Sequence, residues 1–423
     1  MSSRPTTSAW QRLEAFAGFD WGHGSHHVIV LDRDGDRRLA MKFDHDAAGW
    51  ERLATKLREL VGEDLSVVAV AIETRVGPAV EKLLELGCTV YPMNPKAASR
   101  YRDRKAPSGT KDDELDGWSF ADAVRMDGRD WRAMAPEDPH TQQLRLMTRD
   151  ESRLIQHRTA LVASLREALH EYYPAALQAF DDWTMPATWA FVRRFPTPEK
   201  LAAAGKRGWD RFLHAHRLFR PETYDRRIAC FRGARAFCGK HPVTEAKSLL
   251  ALSLIAQLQA VEKQLKVYRE RIDRLFDPHP RRAIFDSLPG LGEKLAPRLL
   301  GECAEARKRF DDVQGLACHA GVAPVRFQSG QMSITRMRRA CNKPLRQTMH
   351  LWANASRTKS AWAGVYYDRK RAEGKSHACA LRCLASRWIR ILWKLLETGM
   401  PYDESRHLRS QIKHGSWVLE QRP

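Results

Sequence analysis

The spacing of hydrophobic and polar positions changes along the chain, and each change marks an element. Residues 1–14 are polar and read as a flexible leader. From Ala15 the pattern is strand-like: Phe16 to Trp21, then His26 to Asp32, a turn at Arg33-Asp34-Gly35-Asp36, and a third short strand around Arg37 to Phe43. Gly35 supplies the positive φ that such a turn favours. Trp50, Leu53, Leu57, Leu60 and Val61 then recur at helical spacing. Val67 to Ile72 follows with no polar alternation, as expected of a strand covered on both faces. Pro78 opens another helix at an N-terminal position, with Val80, Leu83 and Leu84 as its apolar face. Thr89 to Met93 is a further buried strand, stopped by Asn94-Pro95.

Three strands, then helix, strand, helix, strand and helix, is the element order of an α/β ribonuclease H-like fold; the sheet topology is taken by analogy. Residues 140–175 predict a long amphipathic helix with Leu144, Met147, Leu154, Leu161 and Leu165 on one side. Leu254, Leu258, Val261, Leu265, Tyr268, Ile272 and Leu275 step alternately by four and three, a heptad seam of the coiled-coil type. The seam is expected to hold subunits together; antiparallel pairing of the two helices within the chain is the alternative. Between them, Trp183 to Val243 is aromatic and basic and is assigned no element. Asp277-Pro278-His279-Pro280 marks a boundary. A helical region from Ala283 to about Thr398 follows, interrupted by a basic, turn-like stretch from Val325 to His350. The expected plan is a leader (1–14), a catalytic α/β domain (15–139), a helical coiled-coil region (140–280), a mainly α-helical C-terminal domain (281–400) and a polar tail (401–423).

Composition adds a partner. A formal charge of +20 on 423 residues points to a polyanion, and the length allows two or three domains at roughly 100–200 residues each. The eight cysteines form no CxxC pair and have no histidines at zinc-finger spacing, which argues against structural zinc. They read as reduced, mostly buried thiols. No apolar run approaches the ~20 residues of a membrane span, and the polar N-terminus lacks a secretory core. The expectation is a soluble intracellular protein with no membrane partner.

Two constellations carry candidate chemistry. Asp20 ends the first strand beside Gly22 and Gly24, and Glu73 ends the run Val67 to Ile72. In a ribonuclease H-like sheet these strands are neighbours, so both carboxylates enter one cleft. Asp113 and Asp116 share a face at the start of a helix expected over Asp113 to Arg125, where the helix N-terminus favours their charge. Asp112 rivals Asp113, and Glu114 is a weaker rival. Oxygen ligands of this number suit Mg²⁺ or Mn²⁺ and phosphodiester chemistry. Farther on, Ser287-Leu288-Pro289-Gly290-Leu291-Gly292 resembles a helix–hairpin–helix connector. The stretch from Val325 to His350 holds Arg326, Arg336, Arg338, Arg339, Lys343 and Arg346 and no acid, which suits a phosphate backbone. Ser329, beside Gly330 in that field, is either a turn residue or a nucleophile toward phosphorus.

The chain resembles DEDD transposases of the insertion sequence 110 type, including the 1111 subgroup. The resemblance rests on Gly18-Phe19-Asp20, Ile72-Glu73-Thr74, Tyr91-Pro92-Met93-Asn94-Pro95, and Lys111 with Asp113 and Asp116. At the far end it rests on Leu288-Pro289-Gly290-Leu291-Gly292, Arg309-Phe310, and Ala320-Gly321-Val322-Ala323-Pro324 followed by Ser329-Gly330. It implies a RuvC-like N-terminal domain whose Asp20, Glu73, Asp113 and Asp116 bind Mg²⁺. Ser329 is implied as the nucleophile that links covalently to DNA. It further implies donor and target DNA as partners, a structured bridge RNA that pairs with both, and dimers that join into a tetramer in a bacterial cytoplasm, at the nucleoid when active. The chain departs from the pattern at Gln328, where a first serine is common, at Lys111-Asp112-Asp113, where threonine is common in the middle, and at Arg338 to Lys343.

The leading reading is an RNA-guided transposase that cuts and rejoins strands through a serine ester. The alternatives are a RuvC-like nuclease that uses water, and a non-catalytic nucleic-acid-binding protein.

Overall fold

The computed structural model describes residues 10–75, 77–105, 112–234, 242–330 and 332–415. The chain divides into two compact units, Met1–Asp138 with Glu305–Cys318, and Pro139–Ala304 with His319–Pro423.

The first unit holds a five-stranded sheet made of β1 (Ala15–Trp21), β2 (Ser25–Leu31), β3 (Arg37–Asp44), β4 (Val68–Ile72) and β5 (Thr89–Pro92), in the order β3-β2-β1-β4-β5. β1 to β3 form an antiparallel meander, while β4 and β5 join in parallel. Every residue of β4 is buried, as its unbroken apolar run requires. One sheet face packs Phe19, Val70 and Ile72 against α1 (Ala47–Val61) and α2 (Pro78–Glu85) through Trp50, Leu53, Val80 and Leu83. The other packs Phe16, Ala69 and Ala71 against Ala98 of α3 (Pro95–Lys105) and Phe120, Ala123 and Val124 of α4 (Asp113–Asp127). Trp10 and Leu13 also pack there, so the core begins inside the segment read as a leader; Leu13 is only 4% exposed.

The second unit is built on two long helices, α5 (Pro139–Tyr172) and α10 (Pro242–Phe276). Ion pairs from Glu151 to Arg269, Arg158 to Glu262 and Glu171 to Lys247 run in opposite sequence directions, so the pair is antiparallel. Leu254, Leu258, Val261 and Leu265 are buried with Leu161, Leu165 and Leu169. This corrects the expectation of a seam between subunits: the seam is covered by the chain's own first long helix.

The aromatic stretch between them is helical. α6 (Pro174–Ala179), α7 (Pro186–Arg194), α8 (Pro198–Ala215) and α9 (Pro221–Gly233) each begin on a proline, the residue whose fixed φ and missing N–H suit a first helical position. Phe180, Trp189, Phe191, Phe212 and Phe231 fill the space between them. The five prolines at 174, 186, 198, 221 and 242 were the legible signal.

Next come the short α11 (Arg282–Asp286) and α12 (Gly292–Cys303) of this unit, then α13 (Ala306–Arg309) and α14 (Val313–His319), which fall in the segment of the first unit that ends at Cys318. A hairpin of β6 (Val325–Ser329) and β7 (Met332–Arg336) precedes α15 (Lys343–Ser356), α16 (Ala361–Ala372), α17 (His377–Thr398) and α18 (Glu404–Lys413). Trp352, Trp362 and Trp388 cluster at 4.7–4.8 Å between ring centroids. The Trp362 indole donates to the Tyr402 hydroxyl, and the Tyr402 amide donates to Ser287 Oγ at 2.7 Å. The region after Pro401 is therefore docked as far as α18, a correction to its reading as a tail. Among the described residues all cysteines are free, and no described helix is long and apolar enough to cross a membrane.

Two outcomes test this packing. Leu258→Ala is expected to lower stability by about 2–5 kcal/mol with no change in mass by light scattering; a fall in mass at unchanged stability would move the seam back between subunits. His26 is buried among Phe19, Phe43 and Trp50, with its Nε2 2.7 Å from His45 Nδ1. Burial, and then His45, push its pKa down to about 4. The unfolded chain therefore takes up the proton first as pH falls. Stability present above about pH 6.5 is lost on the way down through about 4, on the order of 3 kcal/mol. His26→Phe should remove that part of the acid dependence seen by circular dichroism, and an unchanged profile would refute the assignment.

Candidate active site

The carboxylates sit at the carboxyl ends of β1 and β4. Phe19 pairs in parallel with Ile72, so Asp20 and Glu73 follow at adjacent positions of neighbouring strands, which lie ~4.8 Å apart. Side chains alternate along a strand. Phe16 and Ala69 face α4, so Gly18 and Asp20, and Ala71 and Glu73, point to that side as well. Both carboxylates are half-buried.

Close backbone contact brings α4 to them. A Cβ on Gly18 would lie 1.8 Å from the carbonyl oxygen of Gly117, so only glycine admits the helix here. His27, the cross-strand partner of Asp20, donates through Nδ1 to the backbone carbonyl of Asp113 at 3.0 Å. The first turn of α4 thus lies beside Asp20. Asp112 caps the helix by accepting from the amides of Glu114 and Leu115, and Glu114 pairs with Arg37. Both rivals of Asp113 are engaged elsewhere. Asp113 itself is exposed.

Asp116 is buried, at 5% exposure. A guanidinium nitrogen of Arg102, on α3, stands 2.7 Å from its carboxylate. The angles do not make a hydrogen bond, so this is a charge contact. Farther along α4, Asp122 takes Arg104 and Arg125, and Asp127 accepts from Tyr101. Among the described residues no three acidic, histidine or cysteine side chains gather tightly enough to hold a metal. The donor set nonetheless suits a hard divalent cation, being all carboxylate. A buried carboxylate needs a positive partner, and at Asp116 Arg102 supplies it. Lys111 lies outside the described residues.

The serine lies in the other unit. The stretch read as turn-like is a β-hairpin in which Ser329 pairs with Met332, Phe327 with Ile334 and Val325 with Arg336. Directly opposed residues share a face. Ser329 therefore shares its face with Phe327 and Met332, exposed by 50% and 55%, and its one strand cation is Arg336, over the Phe327 ring. The serine is exposed at the tip. Its immediate surroundings are apolar rather than cationic, as spacing had suggested.

The six basic residues of the stretch separate. Arg326 lies on the opposite hairpin face, with Nε 3.1 Å from Ser333 Oγ. Arg336 and Arg338 line a cleft at the hairpin base, whereas Lys343 lines a smaller one with Arg149, Arg153 and Arg298. Arg339 is exposed and Arg346 half-buried. The Leu288-to-Gly292 connector is packed inward: Pro289 accepts from the Trp352 indole at 3.0 Å, and a Cβ on Gly290 would strike the backbone of Ala355 and Ser356 at 2.8 Å. His27, Arg102 and Gly117 were missed in the sequence. Two adjacent histidines in a strand, His26-His27, were the only signal for the first.

Sequence comparison names the class of protein. Residues 17–174 match the DEDD transposase family of the IS110 type, and residues 282–368 match the transposase family of IS116, IS110 and IS902. The chain belongs to the IS110 transposase family, whose members are DNA transposases. It is 31% identical over 402 residues to the protein named as transposase of the IS117 mini-circle of Streptomyces coelicolor, covering 93% of this chain and 96% of that one. It is 27% identical to an uncharacterized 42 kDa protein of IS900 from Mycobacterium paratuberculosis, over 92% and 96% of the two chains. The 43.6 kDa protein of IS110 from Streptomyces coelicolor is also 27% identical, over 92% and 95%.

The close approach of α4 to β1 is directly testable. Gly18→Ala is expected to cost about 2 kcal/mol or more, because backbone must move, and to lower Tm. Gly24→Ala is the control, since its Cβ would meet nothing within 4 Å. Equal Tm values for both variants would refute the contact.

Proposed function

We propose that the chain cuts and rejoins the strands of donor and target DNA through a site shared between subunits, with a ribonuclease H-like (RuvC-like) domain at residues 15–139 of one subunit and the serine in a C-terminal domain at 281–400 of a neighbour. Asp20, Glu73, Asp113 and Asp116 would hold Mg²⁺ or Mn²⁺. A divalent ion held by these carboxylates would supply positive charge against the phosphate oxygens and the leaving group. The observation that carries this reading is the register that sets Asp20 beside Glu73 with Asp113 fixed above them by His27. The capping by Asp112 and the Arg37 contact of Glu114 favour Asp113 as the third donor.

Ser329 is the proposed nucleophile. Its Oγ attacks phosphorus, its proton passes to solvent or a nearby base, and the strand's sugar oxygen leaves. The phosphoserine ester keeps the energy of the broken phosphodiester, so a sugar hydroxyl of another strand reverses the step and frees the serine. The exposed position at a hairpin tip supports access to a DNA strand. The reading further includes a structured bridge RNA that pairs with both DNAs, dimers joining into tetramers, and a bacterial cytoplasmic location. Family membership and the +20 charge support these features. Hydrolysis by activated water is the second reading, favoured by the apolar face around Ser329.

A nicked or suicide DNA substrate is expected to leave a protein–DNA adduct on denaturing electrophoresis, absent from Ser329→Ala. Asp20→Ala, Glu73→Ala, Asp113→Ala and Asp116→Ala should each lose cleavage while keeping DNA binding. Efficient cleavage by Ser329→Ala, with no adduct in the unaltered protein, decides for hydrolysis.

A further inference from the structure

Several cations inside the second unit are matched to acids. Arg149 pairs with Glu302, Arg158 with Glu262, and Arg298 with Glu151, at 2.6–2.9 Å. The cations of one cleft are largely unmatched. A cleft of about 630 Å³ between the hairpin base and α17 is lined by Arg336, Arg338, Lys375, Arg382, Arg387 and Arg390, and by no carboxylate. Lys375 alone of the six has an acidic neighbour among the described residues, Glu373 at 3.5 Å.

Two of the unmatched cations are held in place by uncharged groups. The Arg387 guanidinium stands 5.5 Å from the centre of the buried Tyr366 ring, and Arg338 Nε donates to the Ala323 carbonyl at 3.4 Å. Cys379, Arg382, Cys383, Ser386, Arg387 and Arg390 recur at steps of three, one, three, one and three, which is one stripe along α17. From Arg382 to Arg390 that stripe runs ~12 Å at ~1.5 Å per residue, the length of several phosphates on one strand. The field of these cations reaches their neighbours: His350 is held below its ordinary value by burial, then by Arg382, and His407 by burial, then by Arg387.

We propose that this cleft is a DNA-backbone site, in which Arg382, Arg387 and Arg390 hold consecutive phosphates and Arg336 and Arg338 continue the track onto the hairpin. Unmatched guanidinium groups in a concave, elongated stripe repay their mutual repulsion only against a polyanion. A free anion would occupy one position, whereas a strand occupies the whole stripe. DNA is chosen over RNA because the chain is a DNA transposase and the stripe leads onto the hairpin. The site does not depend on Ser329 being the nucleophile.

The test uses full-length protein carrying Ser329→Ala, so that binding is read apart from cleavage. Affinity for a labelled mixed-sequence DNA duplex is measured by anisotropy across a salt series, with and without Arg382→Gln, Arg387→Gln and Arg390→Gln together. The log–log slope is expected to fall by about two to three, at ~0.9 per phosphate contact, with affinity down at least about tenfold. A second reading needs no substitution in the cleft. Cys379 lies half-buried in its wall, and DNA should slow its alkylation, followed by mass spectrometry of its peptide. An unchanged slope in a folded variant, Cys379 alkylated equally fast with and without DNA, or loss of binding to an RNA of the same sequence but not to the DNA would each overturn the proposal.

Discussion

The candidate site of the first unit depends on one close approach, backbone to backbone, between Gly18 of β1 and Gly117 of α4. A helix normally stands off a sheet by the thickness of side chains. Here two glycines remove both layers, and the N-terminal turn of α4 settles over the carboxyl end of β1. That placement lets His27 reach the Asp113 carbonyl and Arg37 reach Glu114. It also presents the acids of α4 to α3, where Arg102, Arg104 and Tyr101 engage Asp116, Asp122 and Asp127 in turn. α3 thus lies along α4 as a row of counter-charges.

The second unit rests on a different device. Glu151 and Glu302 are buried, and each meets two partners: Arg298 donates to the first with Arg269 as a charge contact at 3.5 Å, and Arg149 and Asn342 donate to the second. Removing one partner of such a pair costs about 3–5 kcal/mol, because a buried charge is left uncompensated. Asn342 also caps α15 and meets His319 at 3.2 Å. The chain leaving the hairpin is therefore anchored to the helical core within six residues of the end of β7. The hairpin has a fixed base and an exposed tip, an arrangement that can present Ser329 and its apolar neighbours to a partner without disturbing the helices.

Much of the fold was legible. The three antiparallel strands, the all-apolar β4 and the long helices follow from periodicity, since burial imposes a period of two on strands and 3.6 on helices. The acids at strand ends and at the first turn of α4 were visible for the same reason. The helices between Trp183 and Val243 were legible only in their opening prolines, because their aromatic residues point inward from several directions and give no clean stripe. The hairpin at 325–336 escaped because both its faces are exposed, and an exposed strand has no burial to impose alternation.

Local chemistry thus determined the elements, the net charge and the identity of the acidic residues, because these depend on near neighbours in the chain. Tertiary structure decided the rest. It turned the heptad seam inward against α5, set Arg102 against Asp116, and gathered Arg336 and Arg338 with Arg382, Arg387 and Arg390 into one cleft. Those partners lie from 14 to more than 100 residues apart. No spacing rule connects positions that only the packed backbone brings together.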